Sequence, residues 1–315
     1  MKKIQIHEYN PLWPKIFELE KEKLVKIFDK KFVQIHHFGS TSIPNLAAKN
    51  VIDIWIEVDA MENLEEIFKQ LYEDGFEKEK QFFPLCYFTQ KNCQDYEMHL
   101  HVTFAGNDRV VASLHFRDYL KSNPKIQTEY ENLKKKLAEN PQAGFKIGPF
   151  PIYNRMKNDF ISKVLKKSGF KGLIVNFCHQ EIEWKFFHKI TNSAIFADLN
   201  VQYDPNHPNF SNENFHNFVL YLGSTIIGIA QIEKFSKSEA VIRLLAIKEE
   251  FRYKGYGKFL IKFLENWVKF VGFKEIKLHS AYKSVEFYKK CGYLEIDFSQ
   301  DKSIDPKAID FGKIL

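Results

Sequence analysis

Arg252-Tyr253-Lys254-Gly255-Tyr256-Gly257 stands between an apolar run and a long amphipathic stretch, and its reading decides the fold of the C-terminal half. Upstream, Ile242-Arg243-Leu244-Leu245-Ala246-Ile247 is aliphatic and β-branched, the composition of a buried strand. Downstream, from about Lys258 to Val271, the residues Phe259, Leu260, Phe263, Leu264, Trp267 and Val271 fall on one helical stripe. A chain that passes from strand through a glycine-containing turn into a helix presents first-turn N–H groups that lack intrahelical acceptors, at the positive end of the helix dipole. Such a turn is suited to a phosphate, and glycine lets the main chain approach it closely. Taken alone, the R-x-x-G-x-G hexapeptide fits a plain glycine-rich turn about as well.

The residues that follow shift that balance. Lys274 to His279 alternates like a strand, and Ser284 to Tyr293 reads as a short helix closed by a glycine C-cap at Gly292. The ordered pair "IRLLAIKEEFRYKGYGKFL" and "LHSAYKSVEFYKKCGY" resembles the GNAT N-acetyltransferase superfamily, over roughly Lys171 to Leu315. The resemblance implies a mixed, mainly antiparallel sheet, acetyl-CoA as acyl donor, and a primary amine of a small molecule or peptide as acceptor. It implies that the main chain at Leu245, Ala246 and Ile247 lies along the pantetheine arm as an added strand would, with an N–H there for the oxyanion. It further implies that the amides of Arg252, Tyr253, Lys254, Gly255, Tyr256, Gly257 and Lys258 receive the pyrophosphate, with Arg252 and Lys254 adding charge.

Tyr288 is the implied general acid for the departing thiolate, against the plainer reading of a packed aromatic. Glu233 is the candidate base, with His279 second. Family members often carry Asn seven residues before the tyrosine, where this chain has Ala281. The segment Phe177 to Asn217 is expected to supply the acceptor side. Its acids Glu181, Glu183 and Asp204 either attract an amine or simply face solvent.

Composition sets wider bounds. The chain has 315 residues, which favours two domains, and its 44% hydrophobic and 27% charged content is that of a soluble globular protein. No apolar run is long enough for a membrane span. The four cysteines, Cys86, Cys93, Cys178 and Cys291, show no paired spacing, so reduced thiols in a cytoplasmic protein are expected. A net charge of +6 suits an anionic small ligand, and no zinc-finger, RNP or basic-arm pattern points to nucleic acid. The polar joint Lys166 to Gly172 separates an expected first domain, 1–168, from a second, 172–315.

In the first half, a helix is expected from Trp13-Pro14 to about Asp29, a strand at Val33 to Phe38, and another at Lys49 to Val58. In the latter, Ile52, Ile54, Ile56 and Val58 face one way, and Asp53, Trp55 and Glu57 the other. Glu62 to Glu73 reads as helix. Glu97 to Val102 alternates with Glu97, His99 and His101 on its polar face, and Ser113 to Leu120 and Ile126 to Glu139 read as helical. "YNPLWPKIFELEK", "HHFGSTSIPNLAAKNVIDI", "MHLHV" and "LHFRDYL" resemble the GrpB family, which implies a nucleotidyltransferase-like α/β fold over nearly all of residues 1 to 167.

In nucleotidyltransferases a Gly-Ser turn and a D-x-D pair hold triphosphate and Mg²⁺. Gly39, Ser40 and Asp53 match the turn and the first acid, but Trp55 stands where the second acid belongs. Glu57 is on the same strand face, yet four residues away is ~13 Å, too far for metals ~4 Å apart. Glu97 completes the set only if the two strands pair in register. Alternatively, His99 and His101 join Asp53 to bind a phosphate or transition metal, or form an ordinary polar face. Lys49 and Arg117 are the candidate anion contacts. Three readings follow: a working acetyltransferase with an accessory or nucleotide-binding first domain, a Mg²⁺-dependent nucleotidyltransferase with a CoA-sensing second half, or a non-catalytic binding protein.

Overall fold

A computed structural model describes residues 4–147, 150–199, 201–301 and 303–315. The chain divides into two compact units, Met1–Ile174 and Val175–Leu315.

The first unit contains α1 (Trp13–Phe28), β1 (Phe32–Phe38), β2 (Val51–Val58), α2 (Glu65–Glu73), β3 (Lys80–Phe83), β4 (Cys86–Asn92), β5 (Glu97–Phe104), α3 (Asp108–Ser122) and α4 (Pro124–Ala138). A short pair, β6 (Lys146–Ile147) and β7 (Phe150–Pro151), leads into α5 (Ile152–Met156) and α6 (Asn158–Lys167). The sheet order is β1-β2-β5-β4-β3, with β2 and β5 parallel at its centre. One face of β2, carrying Ile52, Ile54, Ile56 and Val58, packs with Met98, Leu100 and Val102 of β5 beneath Trp13, Phe17, Leu24 and Phe28 of α1. Proline in the first turn of α1 removes an N–H that has no helical acceptor anyway.

The opposite face of β2 is covered too. Trp55 is 2% exposed and packs with Cys86 of β4 and Val110 of α3, with Phe38 and Leu114 beside them. A parallel central strand is buried on both sides, which corrects the expectation of a polar Trp55 face. The helix expected from Glu62 begins at Glu65, and the β3–β4 hairpin has no counterpart in the sequence reading.

The second unit comprises β8 (Leu173–Phe177), α7 (Glu181–Ala194), β9 (Phe215–Leu222), β10 (Thr225–Lys234), β11 (Glu239–Ile247), α8 (Tyr256–Phe270), β12 (Glu275–Ser280), α9 (Val285–Lys290), β13 (Leu294–Glu295) and β14 (Ile309–Ile314). Their order in one sheet is β13-β14-β12-β11-β10-β9-β8. Pairings β9–β10, β10–β11, β12–β14 and β13–β14 are antiparallel, whereas β11 and β12 are parallel. Alternation divides the sheet between two helices. Val219, Ile229 and Ala246 pack with Phe187 and Ile190 of α7, while Phe218 meets Trp267 of α8 edge-on at 5.0 Å.

The parallel ladder is short. Glu239 to Ile242 pairs with Glu275 to Leu278, and the register stops there although both strands continue. The cause lies on the other side of β11: Gln231 pairs with Leu244 and Ile232 with Ile242, so Arg243 is an extra residue opposite no partner. Such a bulge bends its strand. Beyond it, β11 keeps its ladder with β10 and leaves β12, and the sheet opens there.

Candidate functional site

The opening between β11 and β12 exposes one edge of Leu244 to Ile247. Within this regular stretch successive residues turn their main-chain groups to opposite sides. Lys248 donates its N–H to Ile227 of the β10 side at 2.8 Å. Alternation therefore directs the peptide groups of Leu245 and Ile247 into the opening and those of Ala246 toward β10. In agreement, the Ile247 carbonyl accepts from Arg252 Nε at 3.0 Å instead of from a strand. Of the three residues singled out from sequence, two offer main-chain groups to the opening, and Ala246 contributes a buried methyl.

The turn that follows ends at Gly255, whose φ of 85° and ψ of −9° suit glycine, and α8 starts at Tyr256, two residues before the expected Lys258. No side chain caps this helix, so the first-turn amides of Tyr256, Gly257 and Lys258 face outward unclaimed. Tyr253 also has positive φ, 60°, and stands fully exposed. Arg252 is fixed on Ile247, and Lys254 donates to the Glu250 carbonyl at 2.9 Å. A Cβ on Gly257 would lie 3.3 Å from the Phe287 ring, so the start of α8 and the start of α9 are in close contact. Tyr288, the next residue, is buried among Phe287, Tyr293 and Phe311. Burial pushes its phenol up, so it stays protonated.

Glu233 and His279 are both engaged. Arg243, the bulge residue, donates Nε to Glu233 Oε2 at 2.6 Å and also pairs with Asp301. His279 sits between Asp310, 2.7 Å from Nδ1, and Asp301, 3.0 Å from Nε2, and stacks on Phe298. Both ring nitrogens are spent on carboxylates, and Glu233 is spent on a guanidinium. The sequence reading did not single out Arg243 or Asp301; a lone Arg inside an aliphatic strand is the signal that would have found the first. Glu183 corrects the solvent-facing reading: it is 1% exposed, accepts from the His179 and Gln180 amides at 2.8 Å each, and accepts from Tyr221 Oη at 2.9 Å. It closes a capping box at the start of α7.

In the first unit, the parallel register sets Asp53 beside His99 and Trp55 beside His101. His99 Nδ1 lies 3.3 Å from Asp53 Oδ1, with Glu97 at 3.8 Å from the other nitrogen. Burial pushes the Asp53 carboxyl up, but the hydrogen bond and charge of His99, with the charge of Lys49, outweigh it and hold it below the usual carboxylate range. Gly39 lies against this carboxylate: a Cβ there would fall 2.2 Å from Asp53 Oδ2. Ser40 of the same turn hydrogen-bonds the Tyr130 side chain.

The other candidates separate. His101 packs with Trp55 at 4.8 Å, Phe88 at 5.0 Å and Phe38 at 5.3 Å between ring centroids, and burial drives it down to about 3, so it is neutral. Arg117 pairs with Asp118 and donates to the His37 carbonyl at 2.8 Å. Glu57 accepts from the Gly106 amide at 2.7 Å and holds His36 at 2.9 Å, at the far end of the strand from Asp53. Among the described residues no group of three His, Cys, Asp or Glu side chains converges on a cation position. With Trp55 filling the second acid's place, these residues do not fit the two-carboxylate Mg²⁺ arrangement. Lys49 lies over the Tyr153 ring at 5.5 Å, where Lys157 also stands at 4.5 Å. Nothing in the local sequence singles out Lys157.

Comparison with known proteins finds two family matches: the GrpB protein family over residues 3–167 and the acetyltransferase (GNAT) family over 180–293. UPF0157 protein YqkA of Bacillus subtilis is 40% identical over 139 residues, which are 44% of this chain and 40% of YqkA, so the match spans about two fifths of that protein. A crystal structure of the conserved protein GrpB from Enterococcus faecalis is 31% identical with a TM-score of 0.44, covering 52% of this chain and 96% of that one. A Bacillus subtilis acetyltransferase solved in complex with CoA is 18% identical with a TM-score of 0.36, covering 46% of this chain and 99% of that one.

Proposed function

Since the chain belongs to the GrpB family and continues as a GNAT acetyltransferase-family domain, we propose that its second half transfers an acetyl group from acetyl-CoA to the primary amine of a small molecule or peptide. The observation that carries this reading is the sheet opening at the Arg243 bulge, followed directly by the uncapped start of α8.

The donor fits this arrangement piece by piece. The pyrophosphate takes the first-turn amides of α8, where the helix dipole and Lys258 favour its charge. The pantetheine amides pair with the main-chain groups of Leu245 and the N–H of Ile247, whose carbonyl is held by Arg252, as a short strand added to an open edge. A main-chain N–H on that edge then faces the thioester oxygen, where negative charge develops as the amine attacks. Collapse of the tetrahedral intermediate expels the CoA thiolate, Tyr288 donates its proton to sulfur, and the phenolate regains a proton from water as the products leave. With Glu233 held by Arg243 and both ring nitrogens of His279 hydrogen-bonded to Asp301 and Asp310, the amine's proton passes to water.

The test is thiol release from acetyl-CoA by the full chain across a panel of primary amines, with calorimetry for CoA itself. CoA binding with turnover on at least one amine supports the reading. A chain that does not bind CoA refutes it. The GrpB-family unit is read as a ligand-binding partner domain.

A further inference from the structure

We propose that Lys49 and Lys157, converging on the Tyr153 ring beside the Asp53–His99 pair, hold the phosphoryl group of a small phosphorylated ligand in the first unit. The ring brings them together: one ammonium is 5.5 Å and the other 4.5 Å from its centroid. Both ammonium groups thus meet at one ring, and the charge of Lys49 acts on Lys157. Tyr153 is 1% exposed, so this meeting point is set into the domain and is not a solvated face.

Neither ammonium has a carboxylate within ion-pair distance among the described residues. The acid whose charge acts on both, Asp53, is already taken by His99 at 3.3 Å. A third lysine, Lys134, is buried behind them, bonded to the Ala47 carbonyl and 5.0 Å above the Tyr130 ring. The hydroxyl of Tyr130 in turn meets Ser40 in the turn that backs onto Asp53. The elements of an anion site thus come from four parts of the chain: the β1–β2 turn, the start of β2, α4 and the α5–α6 junction. Burial, followed by the charge of Lys49, holds Lys157 down to about 7, while Asp53 pulls it upward. Half-buried cations that repel each other, with only the already paired Asp53 to offset them, lower the stability of the free protein. Retaining them makes sense if an anion completes the set.

The inference is independent of acetyl transfer, because the proposed diphosphate turn of the second unit is a separate place in the chain. The experiment titrates the full chain with inorganic pyrophosphate by calorimetry, and repeats it with Lys49→Met, Lys157→Met, Lys157→Arg and Arg252→Ala. The unaltered chain and Arg252→Ala are expected to keep a pyrophosphate site that each methionine variant weakens by about tenfold or more, with Lys157→Arg retaining it. Ligand-free Lys157→Met is expected to melt at a higher temperature than the unaltered chain, which a purely structural lysine would not produce. No first-unit binding in the unaltered chain, binding unchanged in both methionine variants, or binding lost only in Arg252→Ala overturns the proposal. The last outcome would place the anion in the second unit and leave the acetyl-CoA reading standing.

Discussion

Gly39 lies directly against the Asp53 carboxylate, so close that a Cβ would fall 2.2 Å from Oδ2, and its φ of 70° with ψ near 180° is a conformation only glycine adopts without strain. Gly39→Ala therefore meets both a steric and a conformational penalty, about 2–4 kcal/mol together. Because part of that penalty is the contact with Asp53, the double variant with Asp53→Ala is expected to lose less stability than the two single losses added. Urea denaturation of the four proteins measures the coupling. Additive losses would show that the carboxylate is not what the turn rests on.

Tyr288→Phe is expected to lower kcat for acetyl transfer about 10- to 100-fold and leave KM for acetyl-CoA nearly unchanged, since the phenol acts only as sulfur departs. The ring stays buried, so folding stability changes little. An unaltered kcat would remove Tyr288 from the reaction and leave it as packing.

Gly255→Ala addresses the turn. Its φ of 85° opposes any side chain, although the space beside it is open. The substitution is expected to cost about 1–2 kcal/mol of stability and to weaken CoA binding by about tenfold or more as the first-turn amides are displaced. Titration with CoA reads the second effect and a melting curve the first. A variant that binds CoA as the native chain does would place the pyrophosphate elsewhere.

The Arg243 network has an acid signature. Burial pushes the Asp301 carboxyl up, but the hydrogen bonds and charges of Arg243 and His279 more than reverse this and leave it below the usual range. A carboxyl depressed in the folded state adds stability above its unfolded pKa of about 4, and that contribution is lost as pH falls through the lower folded value. Asp301→Asn is thus expected to be less stable than the native chain at pH 7, by about 1–3 kcal/mol. The difference should close at pH values well below 4. Denaturant midpoints at neutral and acid pH test it, and a gap that persists at low pH would mean the side chain contributes through packing alone.

The parts of this architecture that follow local periodicity were legible from sequence. The alternation of Ile52, Ile54, Ile56 and Val58 marked a strand and its apolar face, and the stripe from Phe259 to Val271 marked the helix after the glycine turn. Alternation cannot tell whether the second face is covered as well, which is why Trp55 reads as polar-side and is found 2% exposed under Val110 and Cys86. The same limit applies to acids. Glu183 and Glu233 carry the charge of surface residues, and only the fold reveals that one caps α7 and the other neutralises Arg243. The β3–β4 hairpin escaped because Pro84 and Leu85 interrupt its pattern, with Leu85 at a φ of 54° in the turn. Lys49 and Lys157 are separated by more than a hundred residues, and no sequence spacing connects them; Tyr153 does.

The parallel ladder between β11 and β12 ends at Ile242 and Leu278, and no inter-strand bond holds the two chains together beyond that pair. The slot beyond that pair is thus lined by strand edges that are not bonded to each other. On the proposed reading, the fit of the pantetheine arm in that slot is then set by the side chains along its walls, and substitutions there are expected to change the affinity for CoA without unfolding the sheet.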